Sequence, residues 1–572
     1  MAWERDRTPR HWTGFTLVAA ALMLATPLWN VWAPAMPDYP AHLASFALIE
    51  QGMFHHGASG AGGLYHLQWA FVPNLASEIV VPLLARLTGV VAATKLFLTA
   101  ALFLWVLGPG AVHRALYGRV GIAPLFGSFF AYNANFSWGF FNYYFSAGLS
   151  FAIFAAWIAT GEERRAERVS GCSSLETVHW TVSRPSAAAP YGPAKATNGP
   201  KRQRTDGLGE RPARLAGFTL AVTALYFCHI FAAASLLLML AGFEAAQNIR
   251  HDNRDLNLLI SRAARLALLY VPAAMAFLLL KPDSVGGNGI AFNLADTMQD
   301  RFESLVQHAF DDSDYALPVI LFGGLTLALI LRKARLHAAM WGTLGLLLVG
   351  ALGAPEWAMG GWAVHLRLPA MFGAMLFAAA EFRMKPQTRA SLAVLALMMI
   401  AANAILLTQS WLGYDRQYRE FQASLEEIPR GARLLTVLDG DAIGERSDQP
   451  YWHMAEFAIP ERGVFTPLLF TTKGQHVVQW NQPYARYAAT SAQQGSPPDV
   501  DELQYLARGN MMADREMQED VPYLNHFQCH FDIAVVVHLG GKRTPVPPVL
   551  RLRQAGSFFS FYDILPDRSC RR

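Results

Sequence analysis

Asp38 and His42 stand four residues apart in the run Pro37-Asp38-Tyr39-Pro40-Ala41-His42-Leu43. Prolines on both sides stiffen the chain. A helix starting after Pro40 would set the carboxylate and the imidazole on one face. Such a carboxylate, just beyond the end of an apolar run, can act as a general base for an acceptor hydroxyl. It could also hold a divalent cation against a phosphate. The same spacing suits a structural role equally well, with Asp38 capping a helix that begins near Tyr39 and His42 in solvent.

Other residues could share that chemistry. Glu78 lies inside the second apolar run, after Asn74, where an ionisable group lines a cavity or finds a partner such as Arg86. The stretch from Asn133 to Tyr144, which contains Asn142, is dense in aromatics and amides. It reads first as an interfacial aromatic belt, and second as a channel floor that grips a prenyl chain and presents amides to a head group. His229 follows Tyr226-Phe227-Cys228 within an apolar run and could bond between helices or touch a donor. Arg367 opens another run, with His365 two residues earlier. A guanidinium there is placed to hold a phosphate bidentately; the alternative is an Arg snorkelling to lipid head groups. Lys281 is a weaker candidate for the same work.

His55, His56 and His66 extend the histidine set begun by His42, but the spacing fits no tight zinc pattern and no metal site is expected. The four cysteines, Cys172, Cys228, Cys529 and Cys570, form no CxxC. Cys529 and Cys570 could pair in an oxidising compartment or stay as thiols. No P-loop, GxSxG, HExxH or dinucleotide fingerprint occurs, which removes support for ATP-driven transport and serine hydrolysis.

The elements that must position these residues are mostly apolar. Of 572 residues 53% are hydrophobic and only 16% charged, with a mean hydropathy of +0.21. The net charge of +4 is scattered in short basic clusters, which suits loops on a membrane face rather than a nucleic-acid surface. Apolar runs long enough to span lie near 12–33, 73–90, 92–112, 119–134, 140–160, 215–243, 261–280, 316–332, 337–353, 367–382 and 389–409. The first follows Arg5, Arg7 and Arg10 and is read as a retained anchor rather than a signal peptide. Lys and Arg bias puts the N-terminus, the 332–335 turn and the 383–385 turn in the cytoplasm. The segment 161–214 resists: it is hydrophilic, reads as disordered, and carries about ten Lys and Arg, yet eleven spans put it outside. The conflict lifts if 215–243 hides two helices and one piece between 73 and 160 does not span. From about Leu412 spanning runs stop. Short β-like runs (433–437, 533–538, 558–564) and a helical stretch over 415–428 suggest a small α/β domain.

The Asp38-Tyr39-Pro40-Ala41-His42-Leu43 run, with this topology, resembles the C superfamily of membrane glycosyltransferases (GT-C). That resemblance implies a cytoplasmic N-terminus, one helix, then an outer loop with an essential acidic residue near the membrane. It also implies a polyprenyl-phosphate sugar donor and inversion at the anomeric carbon. A basic residue near a late helix, matching Arg367, would contact the lipid phosphate. The loop here is short and lacks an Asp-Glu pair. The expectation is therefore an α-helical polytopic membrane protein of the inner membrane, GT-C-like, with about eleven transmembrane helices over 1–411. Its first outer loop is 34–72, and 412–572 forms a soluble extracytoplasmic α/β domain. Its expected partners are a polyprenyl-phosphate sugar, membrane lipids and an unidentified acceptor, with no nucleic acid. Asp38 would act on the acceptor, with His42, Glu78, Asn142, His229, His365 and Arg367 binding substrate. A transporter or flippase, or a non-catalytic scaffold, is the alternative.

Overall fold

The computed structural model describes residues 12–54, 63–175, 212–250, 256–280, 289–294, 297–306, 316–359, 361–440, 447–489, 497–512, 521–541, 543–567 and 570. The chain is an α-helical polytopic membrane protein with a C-terminal α/β domain. Six described helices are long and apolar enough to cross a membrane, and four shorter apolar ones accompany them. Large apolar side chains such as Phe15, Leu22, Leu268, Met275, Met398 and Leu406 face outward, as a lipid-facing surface requires.

Helix α1 (Trp12–Asn30) rises toward Asp38. After α2 (Tyr39–Phe54) comes α3 (Ala76–Thr88), and Gly89, at φ 79°, breaks the chain before α4 (Val90–Tyr117). The 73–90 run is therefore not a full span. Its 13 helical residues reach only about 20 Å, and both its ends lie at the end of the bundle where α1 finishes. Asn142 bonds Asn74 and Ser77 at one end. At the other, Lys95 in the second turn of α4 bonds the Val31 carbonyl.

The 119–134 run is no single helix either. It breaks into α5 (Ala123–Gly127), a 3-10 turn (Ser128–Ala131) and α6 (Ala134–Trp138). Pro124 opens the first piece and Asn133 caps the last through its side chain. Nearly every residue from Ala123 to Ser137 is buried, so this broken path runs through the core rather than along lipid. It begins beside Phe377 and Phe382 and ends beside Asp38.

Helix α7 (Phe141–Leu175) continues well into the segment expected to be a disordered loop from residue 161; residues 176–211 lie outside the described set. The 215–243 run is two helices, α8 (Pro212–Cys228) and α9 (Ile230–Arg250), turned at His229. Arg214 at the start of α8 and Glu244 near the end of α9 both bond the Trp157 region of α7, so the pair is antiparallel. The rest are α10 (Leu256–Leu279), α11 (Thr297–Glu303), α12 (Ala316–Ile330), α13 (Trp341–Gly353), α14 (Leu368–Ala379) and α15 (Pro386–Ala423).

The end of the bundle opposite Asp38 collects the bases. Arg119 and Arg335 both pair with Glu381 at 2.9 and 2.5 Å, where β2 (Ala334–Leu336) meets β3 (Ala380–Phe382). Gly342 packs on Gly242 just beyond, so Glu244 and its partner Arg262 belong to the same end.

The expected boundary at 411/412 falls inside α15. This helix of 38 residues, about 57 Å long, runs unbroken into the C-terminal domain. There β4 (Leu434–Asp439) lies parallel to β6 (Ile533–His538). Then β8 (Phe559–Ile564) and β7 (Leu550–Ala555) extend the sheet antiparallel, in the order β4-β6-β8-β7. Every residue of β4 and β6 is buried, so both faces of the sheet centre are covered. The loop 34–72 is not apart from this domain. Its β1 (Tyr65–Leu67) pairs antiparallel with β5 (Val478–Trp480).

Candidate functional site

The chain around Asp38 is fixed from both sides. Trp32 and Ala33 donate their amides to Asp415 Oδ1 at 2.6 and 3.2 Å, tying the exit of α1 to α15. Asp38 N donates to the Trp138 carbonyl at 3.1 Å, and the Asp38 carbonyl accepts from His42 N at 3.0 Å. Gly139 is required beside it: its φ is +89°, and a Cβ there would come within 3.2 Å of Asp38 Cβ. The backbone is thus held while the side chain is left alone. Among the described residues nothing hydrogen-bonds or ion-pairs with the Asp38 carboxylate, so it caps no helix. It is half-buried. Burial pushes its pKa up to about 7, against the downward pull of His453 and His476. A carboxyl titrating near neutrality is matched to general-base work.

His42 is buried rather than solvated. Its ring lies 4.7 Å from that of Phe141 and 5.4 Å from that of Phe470. Burial, then the neighbouring His476 and His453, hold its pKa down to about 3, partly offset by a backbone hydrogen bond at Gly139. It is neutral at ordinary pH.

The C-terminal domain supplies the other histidines, and each has a glutamate behind it. His476 Nδ1 lies 3.0 Å from Glu78 Oε1, while Val477 N donates to Glu78 Oε2 at 3.2 Å. Glu78 thus finds its partner across the domain boundary and not in Arg86. His453 Nδ1 lies 3.7 Å from Glu456 Oε1, both fully buried. Among the described residues neither His453 nitrogen has a hydrogen-bond partner, nor does Glu456 Oε2. Phe470 packs against His42, His453 and His476 together.

On the other side of the Trp138-Gly139-Phe140 strip lies Arg367. It is 7% exposed, which excludes a snorkelling role. Its guanidinium sits over Phe231, Tyr143 and Phe140 at 4.8, 4.9 and 5.4 Å and donates to the Trp362 carbonyl at 3.1 Å. Its Nη1 also lies 3.1 Å from His229 Nε2, while Phe231 N points at His229 Nδ1 from 3.2 Å. A neutral imidazole has one acceptor nitrogen, so one of these two donors goes unmatched. Arg367 Nε has no partner, and no carboxylate pairs with Arg367 among the described residues. A buried cation without a counter-ion is costly unless an anion joins it. Between Arg367 and Asp38 three half-buried indoles converge: Trp138 stands 5.0 Å from Trp362 and 5.8 Å from Trp452.

The remaining expectations fare unevenly. The 133–144 stretch is no lipid-facing belt: Asn133, Asn135, Phe136, Phe141, Asn142, Tyr143 and Tyr144 are all buried, and the Asn133 and Asn135 amides and the Tyr143 and Tyr144 hydroxyls donate to backbone carbonyls. Asn142 itself accepts from Ser77 N and donates to the Asn74 carbonyl, so its amide joins α7 to α3. His365 is buried beside Arg367, its Nε2 3.8 Å from Asp300 and its Nδ1 without a partner among the described residues. His66 is exposed on β1; His55, His56 and Lys281 lie outside the described residues. No group of three His, Cys, Asp or Glu side chains that could hold a metal occurs among the described residues. Cys529 and Cys570 form a disulfide. Sequence reasoning missed His453, Glu456, His476 and the three-indole cluster. The run Tyr451-Trp452-His453 with Glu456 three residues on was the available signal.

No protein-family model matches the chain, and no curated protein matches it. Among solved structures the chain is similar to the crystal structure of ArnT from Cupriavidus metallidurans bound to undecaprenyl phosphate. The match covers 97% of this chain and 98% of that one at 10% identity, with a TM-score of 0.44. A likeness that weak leaves the function to be argued from the chain's own residues.

Proposed function

We propose that this protein is a membrane glycosyltransferase that moves a sugar, of hexosyl type, from a polyprenyl-phosphate donor to an extracytoplasmic acceptor. The observation that carries this is the pairing of two unmet charges across one short strip. An anion-seeking guanidinium, Arg367, lies on one side of Trp138-Gly139-Phe140 and an unpartnered carboxylate, Asp38, on the other. The donor phosphate would sit on Arg367, with the unpartnered His365 Nδ1 beside it and His229 aligning the guanidinium. The sugar would lie against the indoles. Asp38 would take the proton of, or orient, the acceptor hydroxyl as it attacks the anomeric carbon and inverts it. His42 and Glu78 shape the acceptor side, and Asn142 fixes the helices that carry them. The superfamily resemblance of the Asp38–Leu43 run points the same way. A transporter or scaffold reading leaves both unmet charges without a purpose.

The topology supports an inner-membrane setting. Eleven crossings result when α3 is set aside and α8 and α9 are counted separately. The Trp157 region of α7 and the start of α8 then lie at the basic end, in accord with the positive-inside bias. Asp38, the C-terminal domain and its disulfide then lie outside, in an oxidising space. The test is transfer from a polyprenyl-phosphate sugar by purified protein and by Asp38→Asn. The variant should fold and transfer nothing; retained transfer would overturn the assignment.

A further inference from the structure

Along α15, Gly413, Arg416, Gln417 and Glu420 follow at helical spacing and share one face. That face borders a cavity of about 410 Å³, walled on its other side by Tyr451 and Ser557 of the C-terminal domain. Small-molecule sites run roughly from 300 to 1,000 Å³. The cavity lies at the end of the bundle where α1 finishes, because Asp415 in the same helical turn holds Trp32 and Ala33. Two features keep it open. Gly413 is a poor helix former inside a long helix, and a Cβ there would meet nothing within 4 Å. The space before it is room rather than close packing. Arg416 and Glu420 stand at the i,i+4 spacing of a helical ion pair, as do Asp415 and Arg419 beside them, which pair at 2.9 Å. Arg416 and Glu420 do not pair. Glu420 turns to Ser557 instead, accepting its amide at 2.6 Å and also its hydroxyl. Arg416 is exposed and has no partner among the described residues. A donor and an acceptor thus stand apart at one opening.

The walls select a class of ligand. The Tyr414 and Tyr451 rings lie 5.4 Å apart. Gln417 Oε1 accepts the Tyr451 hydroxyl at 2.6 Å, which leaves the Gln417 amide nitrogen to donate. A simple anion would meet Arg416 but would be repelled by Glu420. An apolar chain would strand both charges. Hydroxyl groups donate and accept at once, so they can satisfy a guanidinium, an amide and a carboxylate together. The C–H face of a sugar ring suits the negative faces of the two phenol rings. We propose that this cavity binds a hexopyranose unit of a glycan, with Arg416 and Gln417 donating to its hydroxyl oxygens and Glu420 accepting from its hydroxyls. Tyr451 walls the cavity, and the next residue, Trp452, stands 5.8 Å from Trp138 in the indole cluster. One turn of chain therefore borders both places, and a glycan acceptor seated here is held beside the reaction centre. That role rests on the transferase reading; sugar binding itself does not.

Saturation-transfer NMR of the full chain in phosphatidylcholine nanodiscs would read binding, with maltose, cellobiose and chitobiose as probes and no donor present. The native protein should bind at least one of them. Gly413→Leu should abolish that binding, because the new side chain fills the cavity; it also favours the helix, so the variant should fold. Arg416→Ala and Glu420→Gln should each weaken binding about tenfold or more, as expected for a lost hydrogen bond to a charged group. Thermal unfolding would confirm that each variant is folded. Binding of none of the three disaccharides by the native protein overturns the proposal. Binding that survives Gly413→Leu lies elsewhere and overturns it too. Inorganic phosphate that binds and is lost in Arg416→Ala, with no disaccharide bound, marks an anion site only and is equally fatal. Asp38→Asn should bind the disaccharides as the native protein does. A failed transfer assay would therefore leave this site standing, and a failed sugar titration would leave the role of Asp38 untouched.

Discussion

Glu78 and His476 meet across the boundary between the helical bundle and the C-terminal domain. The two side chains are 3.0 Å apart, and the same carboxylate accepts the amide of Val477. A residue that sequence places in an apolar run is in fact a clamp between domains. Glu78→Gln would keep the shape and one acceptor but lose the charge-assisted bond. It should destabilise the protein by about 1.5–3 kcal/mol, read as a lower unfolding temperature of the intact chain in nanodiscs.

Asp38 carries a stability cost with a defined pH window. Its pKa is raised in the fold from an ordinary 3.8 to about 7. The folded protein therefore binds the proton more tightly than the unfolded chain. The stabilising effect of protonation is complete below pH about 4 and is lost as pH rises to about 7. Asp38→Asn, which cannot ionise, should gain in unfolding temperature over the native protein across that window. The gain should be flat above pH about 8 and vanish below pH about 4. Unfolding curves at a series of pH values check this.

Arg367 is held by three aromatic rings and a carbonyl, a setting that a planar guanidinium fits and an ammonium does not. Arg367→Lys should therefore fail to restore binding of a polyprenyl phosphate. A loss of roughly 10- to 100-fold in affinity is expected, from about 1.5–3 kcal/mol for hydrogen bonds to a charged group. Native mass spectrometry with a polyprenyl phosphate would measure it.

Gly242 of α9 and Gly342 of α13 touch backbone to backbone, with no room for a Cβ on either. Small residues permit such approach between membrane helices. Gly342→Ala must push the helices apart and should cost about 2 kcal/mol or more. The unfolding midpoint in detergent reports it, and Gly345→Ala, which has open space, should be silent.

The disulfide closes a loop of 41 residues. Cys529→Ser should lower stability by about 2–4 kcal/mol, and a reductant should affect the native protein but not the variant.

Much of the helical bundle was legible because lipid leaves few options: a long apolar run must be helical, and its basic flanks mark one face. The helix that follows Asp38 and the strand at 533–538 could also be read, the first from the prolines around Asp38 and the second from its β-like run. What failed did so for identifiable reasons. Hydropathy averages over Gly89 and His229, so it could offer only as alternatives that 215–243 holds two helices and that a piece between 73 and 160 does not span; the breaks at these two residues decide it. Hydropathy also scores the aromatic 133–144 stretch as belt-like, although most of its residues are buried. The His476–Glu78 pair was hidden because its members lie about 400 positions apart, and only folding brings them together; His453 and Glu456 are three residues apart, but their spacing alone does not tell a buried pair from a solvated one.

The pairing of β1 with β5 also sets an order of assembly. Asn481 donates to the carbonyl of Gly63, 418 positions earlier in the chain. As the chain leaves the ribosome, the first loop must wait, its strand edge bare, until nearly all the rest has been made. Asp38 is therefore born early into an unfinished cleft, and its surroundings are completed only when the last quarter of the polypeptide arrives. Activity would switch on at the close of biogenesis, and a truncated product would carry the carboxylate without the histidines that govern it.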